Sequence, residues 1–125
     1  MAKKSILSAA APKALGPYSH ATEAGGFLFL SGMLGLDPAT GALADTVAAQ
    51  ADRALRNIAA VLADSGLALE SVVKTTVYLA DMRDFPAVNA TYAKHFQADF
   101  PARSCVAVAG LPSGALVEIE VIAAR

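Results

Sequence analysis

The chain reads as a single α+β domain, with two helices laid on one face of a mixed, mostly antiparallel sheet. Three observations predict this. Apolar residues recur with a strand period in some segments and a helix period in others, in the order hairpin, helix, strand, helix, hairpin. The 125 residues suffice for one core and are too few for two, so residues 1–125 are expected to form one domain. Hydrophobic residues make up 55% of the chain and charged residues 17%. That is too apolar for a lone small domain, so the sheet face away from the helices is expected to pack against another copy.

Taken in order, Gly25-Gly26 supplies the positive φ angles of a tight turn and joins strands at 20–24 and 27–31 into a hairpin. The second of these strands, Phe27-Leu28-Phe29-Leu30-Ser31, is apolar on both sides, as a strand covered on both faces would be. Residues 31–41 hold glycines and an Asp37-Pro38 turn signal and read as a loop. Asp45 is placed to cap a helix that runs to about Ser65, with Val47, Ala51, Leu55, Ile58 and Leu62 on one face and Gly66 as its stop. Residues 72–79, rich in Val and Thr, read as a central strand. Asp84 is placed to cap a second helix to about Gln97, with Phe85, Val88, Tyr92 and Phe96 as its buried stripe and Asn89 on much the same side. Strands at 103–109 and 116–124, joined through Leu111-Pro112-Ser113-Gly114, complete the chain.

Composition excludes several classes. A formal net charge of −1 leaves no electrostatic footprint for a phosphate backbone, and the few aromatic residues fall on faces expected to be buried, so nucleic acid is an unlikely partner. No Walker or dinucleotide-binding glycine pattern occurs. His20 and His95 stand far apart without further ligands nearby, so no metal is expected and each reads as a structural or surface residue. One cysteine makes no internal disulfide, and no long apolar run follows the N-terminus. Neither a signal peptide nor a membrane span is therefore expected, and a reducing, cytoplasmic setting is.

The residues that can carry chemistry concentrate in the last quarter. Strand alternation puts Arg103, Cys105 and Ala107 on one side and Ser104 and Val106 on the other, and gives Glu118 and Glu120 a shared face. Arg103 enters an apolar strand directly after Phe100-Pro101-Ala102, and its planar fork suits bidentate binding of a carboxylate. Of the two glutamates one reads as a rim charge and the other as a site carboxylate, and the pattern does not separate them. Cys105 reads as a small buried hydrophobe without a histidine placed to activate it. Tyr18 follows Gly16-Pro17, a turn that fixes its ring, and is either a packing residue or a site residue. Ser31-Gly32 ends a strand, where glycine lets a ligand approach backbone N–H groups. The Asn89 amide needs a partner, in the protein or in a ligand.

Taken together, Gly16-Pro17-Tyr18-Ser19, Ser31-Gly32, Leu36-Asp37-Pro38 with Thr40-Gly41, Val73-Lys74-Thr75-Thr76-Val77, Phe85-Pro86-Ala87-Val88-Asn89, Phe100-Pro101-Ala102-Arg103-Ser104 and Glu118-Ile119-Glu120 resemble the RidA (YjgF) family of reactive-intermediate deaminases, over nearly the whole chain. The resemblance implies a chorismate-mutase-like fold of the bacillus type. It also implies a homotrimer whose sheets face a barrel-like core, with ligand sites in the clefts between subunits. By the same resemblance Arg103 matches the arginine that binds the substrate carboxylate and Glu118 the glutamate that orients or activates water. Tyr18, Ser31, Gly32, Asn89 and Cys105 match positions lining the cleft, Cys105 through its backbone. His20 and Met33 stand where members often carry glutamine. The implied activity is hydrolysis of small 2-imino acids or their enamines, such as 2-aminoacrylate and 2-iminobutanoate, to 2-oxo acids and ammonia, without a metal or cofactor. The alternatives are a 2-oxo-acid-binding or chaperone-like protein without important turnover, and a ribonuclease or translation inhibitor, a label this family has also carried.

Overall fold

The computed structural model describes residues 2–97 and 99–125. Its elements are β1 (Lys4–Ile6), β2 (Ala21–Ala24), β3 (Phe27–Leu30), β4 (Met33–Leu34), α1 (Val47–Asp64), β5 (Val72–Leu79), α2 (Phe85–His95), β6 (Ala102–Ala107) and β7 (Val117–Ala124). The strands form one sheet in the order β1-β2-β3-β7-β5-β6, with β4 continuing the edge of β7 beyond β3. Every pairing is antiparallel except β5 with β6, so the sheet is mixed and mostly antiparallel as expected.

The core lies between the sheet and the two helices. Leu55, Ile58 and Leu62 of α1 and Val88 and Tyr92 of α2 pack on Leu28, Val77, Leu79, Val117, Ile119 and Val121. Because strand side chains alternate, the residues between these, including Phe27, Phe29, Tyr78, Val106, Glu118 and Glu120, belong to the opposite face. There Phe27, Phe29 and Val106 remain more than 40% exposed. Among the described residues no helix is long and apolar enough to cross a membrane.

Several expectations need correction. The last two strands are not a hairpin: β5 lies between them, because β6 pairs in parallel with β5 and the chain crosses over to reach β7. The segment at 31–41 is not wholly a loop, since β4 pairs with Glu118 and Ile119 and Leu36 bridges Leu43. β1 was not expected at all. Thr46, not Asp45, caps α1, its hydroxyl accepting the Ala49 N–H at 3.1 Å. Asp84 occupies the cap position of α2 without a side-chain bond. The preceding Asp81 makes the capping contact instead, to Arg83 N–H at 2.9 Å, on a 3-10 turn that feeds the helix. Within the α2 stripe Phe85 is only half-buried, and α2 ends at His95 rather than near Gln97.

Candidate functional site

The topology divides the expected site residues between two places. On the helix side, β6 begins with Arg103 directly opposite Thr75 of β5, under α2. The helix turn that carries Phe85, Asn89 and Tyr92 closes over the guanidinium. Its Nη1 donates to Asn89 Oδ1 at 2.8 Å, and its central carbon lies 4.9 Å from the Tyr92 ring centroid and 5.5 Å from that of Phe85. Two aromatic faces and one amide hold the fork in place by cation–π attraction and hydrogen bonding. Among the described residues no carboxylate pairs with Arg103, so its remaining N–H donors stay available to an anion. Tyr92 is itself fixed by a 2.8 Å bond between its hydroxyl and that of Thr75.

Cys105, two residues along the same face, packs against the core. Burial pushes its thiol up and the charge of Arg103 pulls it down less strongly, so the sulfur keeps its proton more firmly than an exposed thiol. That is the environment of a packing residue rather than of a nucleophile.

The other residues gather on the opposite side of the sheet, in a cavity of about 580 Å³ lined by Tyr18, His20, Ser31, Gly32, Glu118 and Glu120 among others. The segment 8–19 forms its outer wall and is tied down by side chains of His20, Tyr18 and Ser31. His20 is buried, and its Nδ1 accepts the Ser8 N–H at 2.8 Å while Nε2 lies 2.8 Å from the Pro12 carbonyl. Accepting at Nδ1 leaves the proton on Nε2, which donates to Pro12. The structural reading of His20 is thus the observed one. The Tyr18 hydroxyl accepts the Leu15 N–H at 3.0 Å, and its side chain lines the cavity. The Ser31 hydroxyl donates to the Ser19 carbonyl at 2.7 Å, so this side chain serves the wall rather than standing free.

Glu118 rests against the bare backbone of Gly32: a Cβ there would lie 2.7 Å from the Glu118 carboxyl carbon, so a side chain at 32 would displace the carboxyl from this position. The strand carrying Glu118 is held from the helix side as well. Gln50 and Asn57, both buried in α1, donate to carbonyls of the 33–44 segment: Gln50 to Ala44 at 2.9 Å, Asn57 to Leu34 and Leu36 at 3.1 and 3.0 Å. The Gln50 carbonyl oxygen also accepts the Leu116 N–H at 2.8 Å, just before β7 begins. The signal for this pair was in the sequence, since Gln50, Ala54, Asn57 and Val61 follow helical spacing along the buried face.

Glu118 is pushed above its ordinary 4.5, first by burial and then by the charge of Glu120. The folded chain therefore holds this proton more tightly than the unfolded chain. The stability linked to it is complete below about 4.5 and is lost as pH rises through the folded titration. Glu118→Gln, which cannot ionise, should gain thermal stability over the parent as pH climbs from 4.5 towards neutrality, with the difference vanishing in acid. Melting curves across that range check this, and a pH-independent difference would contradict it.

Among the described residues no three His, Cys, Asp or Glu side chains come together to hold a metal ion.

The family described as Endoribonuclease L-PSP matches residues 8–125. A 2-iminobutanoate/2-iminopropanoate deaminase of Salmonella typhimurium is 46% identical over 125 residues, covering 98% of each chain. The crystal structure of the Escherichia coli YjgF gene product superposes with a TM-score of 0.91 at 43% identity, covering 98% of each chain. Escherichia coli TdcF, solved with bound serine, gives a TM-score of 0.91 at 39% identity over 98% of each chain. A match of this length, with identities well above those at which only a fold is shared, shows that this chain belongs to the Endoribonuclease L-PSP family, which includes RidA and YjgF.

Proposed function

We propose that the protein is a hydrolytic deaminase that converts small 2-imino acids and their enamine tautomers to 2-oxo acids and ammonia. The observation that carries this reading is Arg103, a guanidinium fixed by Asn89 and two rings with donors left over for a carboxylate. The names of the deaminase relatives and the serine held by TdcF support the same class, a small molecule with nitrogen and carboxylate on one carbon. Near-neutral charge agrees with a small ligand rather than RNA. Of the two histidines, His20 has both ring nitrogens taken up by backbone groups, and His95 has one bound to Asp52 at 2.7 Å.

Arg103 and Glu118 belong to opposite faces of one sheet, so one protomer does not present both to a small ligand. We infer a homotrimer in which the Arg103 face of one subunit meets the Glu118 cavity of its neighbour. The exposed Phe27, Phe29 and Val106 on the outer face support such packing. In the assembled cleft Arg103 and Asn89 come from one subunit, with Cys105 contributing backbone, and Tyr18, Ser31, Gly32 and Glu118 from the next.

Glu118 starts protonated and gives its proton to the enamine carbon or the imine nitrogen, which leaves an iminium and a carboxylate. Water adds to C2 as that carboxylate takes one of its protons, and a carbinolamine forms. The same proton then passes to nitrogen. As the C–N bond breaks, the hydroxyl proton returns to Glu118, releasing ammonia and the 2-oxo acid. Every proton returns to its place, and the chain supplies an anchor and one carboxyl whose proton affinity is raised by burial and by Glu120.

The test generates 2-aminoacrylate or 2-iminobutanoate in situ with a pyridoxal-phosphate-dependent dehydratase acting on serine or threonine, with and without this protein. Faster release of the 2-oxo acid is expected, with no RNA cleavage above a mock purification. Unchanged decay at stoichiometric protein would leave a binding role, and cleavage of RNA would favour the older label.

A further inference from the structure

We propose that Tyr78 and Glu120 are positioning residues for Glu118: the Tyr78 hydroxyl holds the Glu120 carboxylate in the cavity on Glu118's side of the sheet, and this second carboxylate strengthens the hold of Glu118 on its proton. The inference rests on the proton-carrying role of Glu118 proposed above and concerns two residues outside that role.

The register makes the arrangement. Tyr78 of β5 stands directly opposite Glu118 of β7, and Thr76 opposite Glu120. The Tyr78 side chain passes its direct partner and reaches diagonally to Glu120, donating to Oε1 at 2.7 Å. Diagonal pairs across antiparallel strands are within reach of a long aromatic side chain. The bond matters in two ways. It fixes Glu120 as an acceptor, the role its ionised form fills, and it holds Glu120 in the shared cavity instead of letting it turn to water. Two carboxyls then share one face of one strand, and the nearby Glu120 charge disfavours ionisation of Glu118. Among the described residues Glu118 has no hydrogen-bond donor, and it is shielded by Gly32 and by Leu34, its partner on β4.

The other groups facing Glu118 do not cancel this effect. From the 8–19 wall come Lys13, which is exposed, Tyr18, whose hydroxyl is bound to Leu15 N–H, and His20, whose ring is taken up by Ser8 and Pro12. From β5 comes Lys74, but its ammonium donates to Ser104 Oγ of β6 at 2.8 Å, on the side of β5 away from β7. In the proposed trimer the neighbouring subunit also brings Arg103 to the cleft; without substrate its charge favours the ionised form of Glu118 in parent and variants alike, so the comparison between them still isolates Glu120. The proton affinity of Glu118, raised by burial and by Glu120, and that of Tyr78, raised above all by its bond to Glu120, agree with this geometry.

The first step draws on the protonated form of Glu118, so a group that strengthens its hold on the proton raises the share of protein ready to react.

The experiment follows the Glu118 carboxyl directly, by carbon-13 NMR titration of the assembled full-length protein without substrate, its signal assigned by its loss in Glu118→Gln. The parent is compared with Glu120→Gln and Tyr78→Phe, and pH profiles of kcat/KM are recorded for all three. Glu120→Gln should move the Glu118 midpoint down by about one pH unit. Tyr78→Phe should move it the same way by less, since Glu120 then loses the donor that holds it in the cavity beside Glu118. The alkaline limb of kcat/KM should shift with the midpoint, so that activity lost at neutral pH returns about one unit lower. A Glu118 midpoint unchanged in either folded variant overturns the inference. If Glu120→Gln does not assemble, Tyr78→Phe, which removes one oxygen, decides alone. A midpoint that moves while the rate profile stays fixed supports the pairing and overturns instead the reading of Glu118 as the proton carrier.

Discussion

Arg103→Ala is expected to lower kcat/KM for 2-aminoacrylate or 2-iminobutanoate by roughly 10²- to 10³-fold, the equivalent of about 3–4 kcal/mol for losing a charge-assisted contact to a shielded carboxylate. The size of the effect follows from how the guanidinium is held. Phe85 and Tyr92 flank it and Asn89 takes one donor, so the fork meets its ligand already oriented. Truncation leaves the substrate carboxylate facing two rings and an amide. Arg103→Lys should recover only a small part, because an ammonium on a flexible stem lacks the planar pair of donors and no longer satisfies Asn89 in the same geometry. Binding of 2-oxo acids should weaken in parallel, since the anchor acts on ground state and transition state alike. Glu118→Gln should differ, with turnover falling while 2-oxo-acid binding largely survives. Steady-state kinetics with isothermal titration of pyruvate separate the two patterns. Parental activity in a folded Arg103→Ala protein would remove Arg103 from the site.

What the sequence made legible was local, and what it hid was long-range. β5 falls on the residues expected because a Val/Thr run has one reading, and the β2–β3 turn falls at Gly25-Gly26, both at positive φ. β1, three residues with two of them polar or charged, carries no pattern of its own and exists because β2 offers it an edge. The two residues of β4 exist because β7 does. The β6–β7 pairing failed for a related reason. Strand periodicity says which face a residue takes but not which strand lies beside it, and β6 found a better partner in β5.

The same distinction runs through the site. Alternation alone put Cys105 beside Arg103 and Glu120 beside Glu118, and both pairs stand. That these pairs face away from each other follows only from the register, in which Arg103 meets buried Thr75 while Glu118 meets Tyr78. The bonds by which Gln50, Asn57 and His20 brace the site reach segments that no local pattern connects to them.

Mixed assemblies offer the sharpest test of that division. Arg103→Ala and Glu118→Gln subunits, each nearly inactive alone, should restore activity when combined, because a cleft built from the Arg103 face of one subunit and the Glu118 cavity of the next is intact wherever the two variants meet in the right order. In a closed three-subunit ring any mixed trimer contains one such cleft. Random mixing in equal amounts therefore returns about one quarter of the parental activity per site. If both residues served one ligand within a single protomer, every site would keep one lesion and mixing would restore nothing. Subunits carrying two different tags, unfolded together and reassembled, permit isolation of hybrids that carry both. Activity in those hybrids at no more than the average of the two variants would refute the shared cleft, whatever the oligomeric state, because the argument depends only on the sheet standing between Arg103 and Glu118.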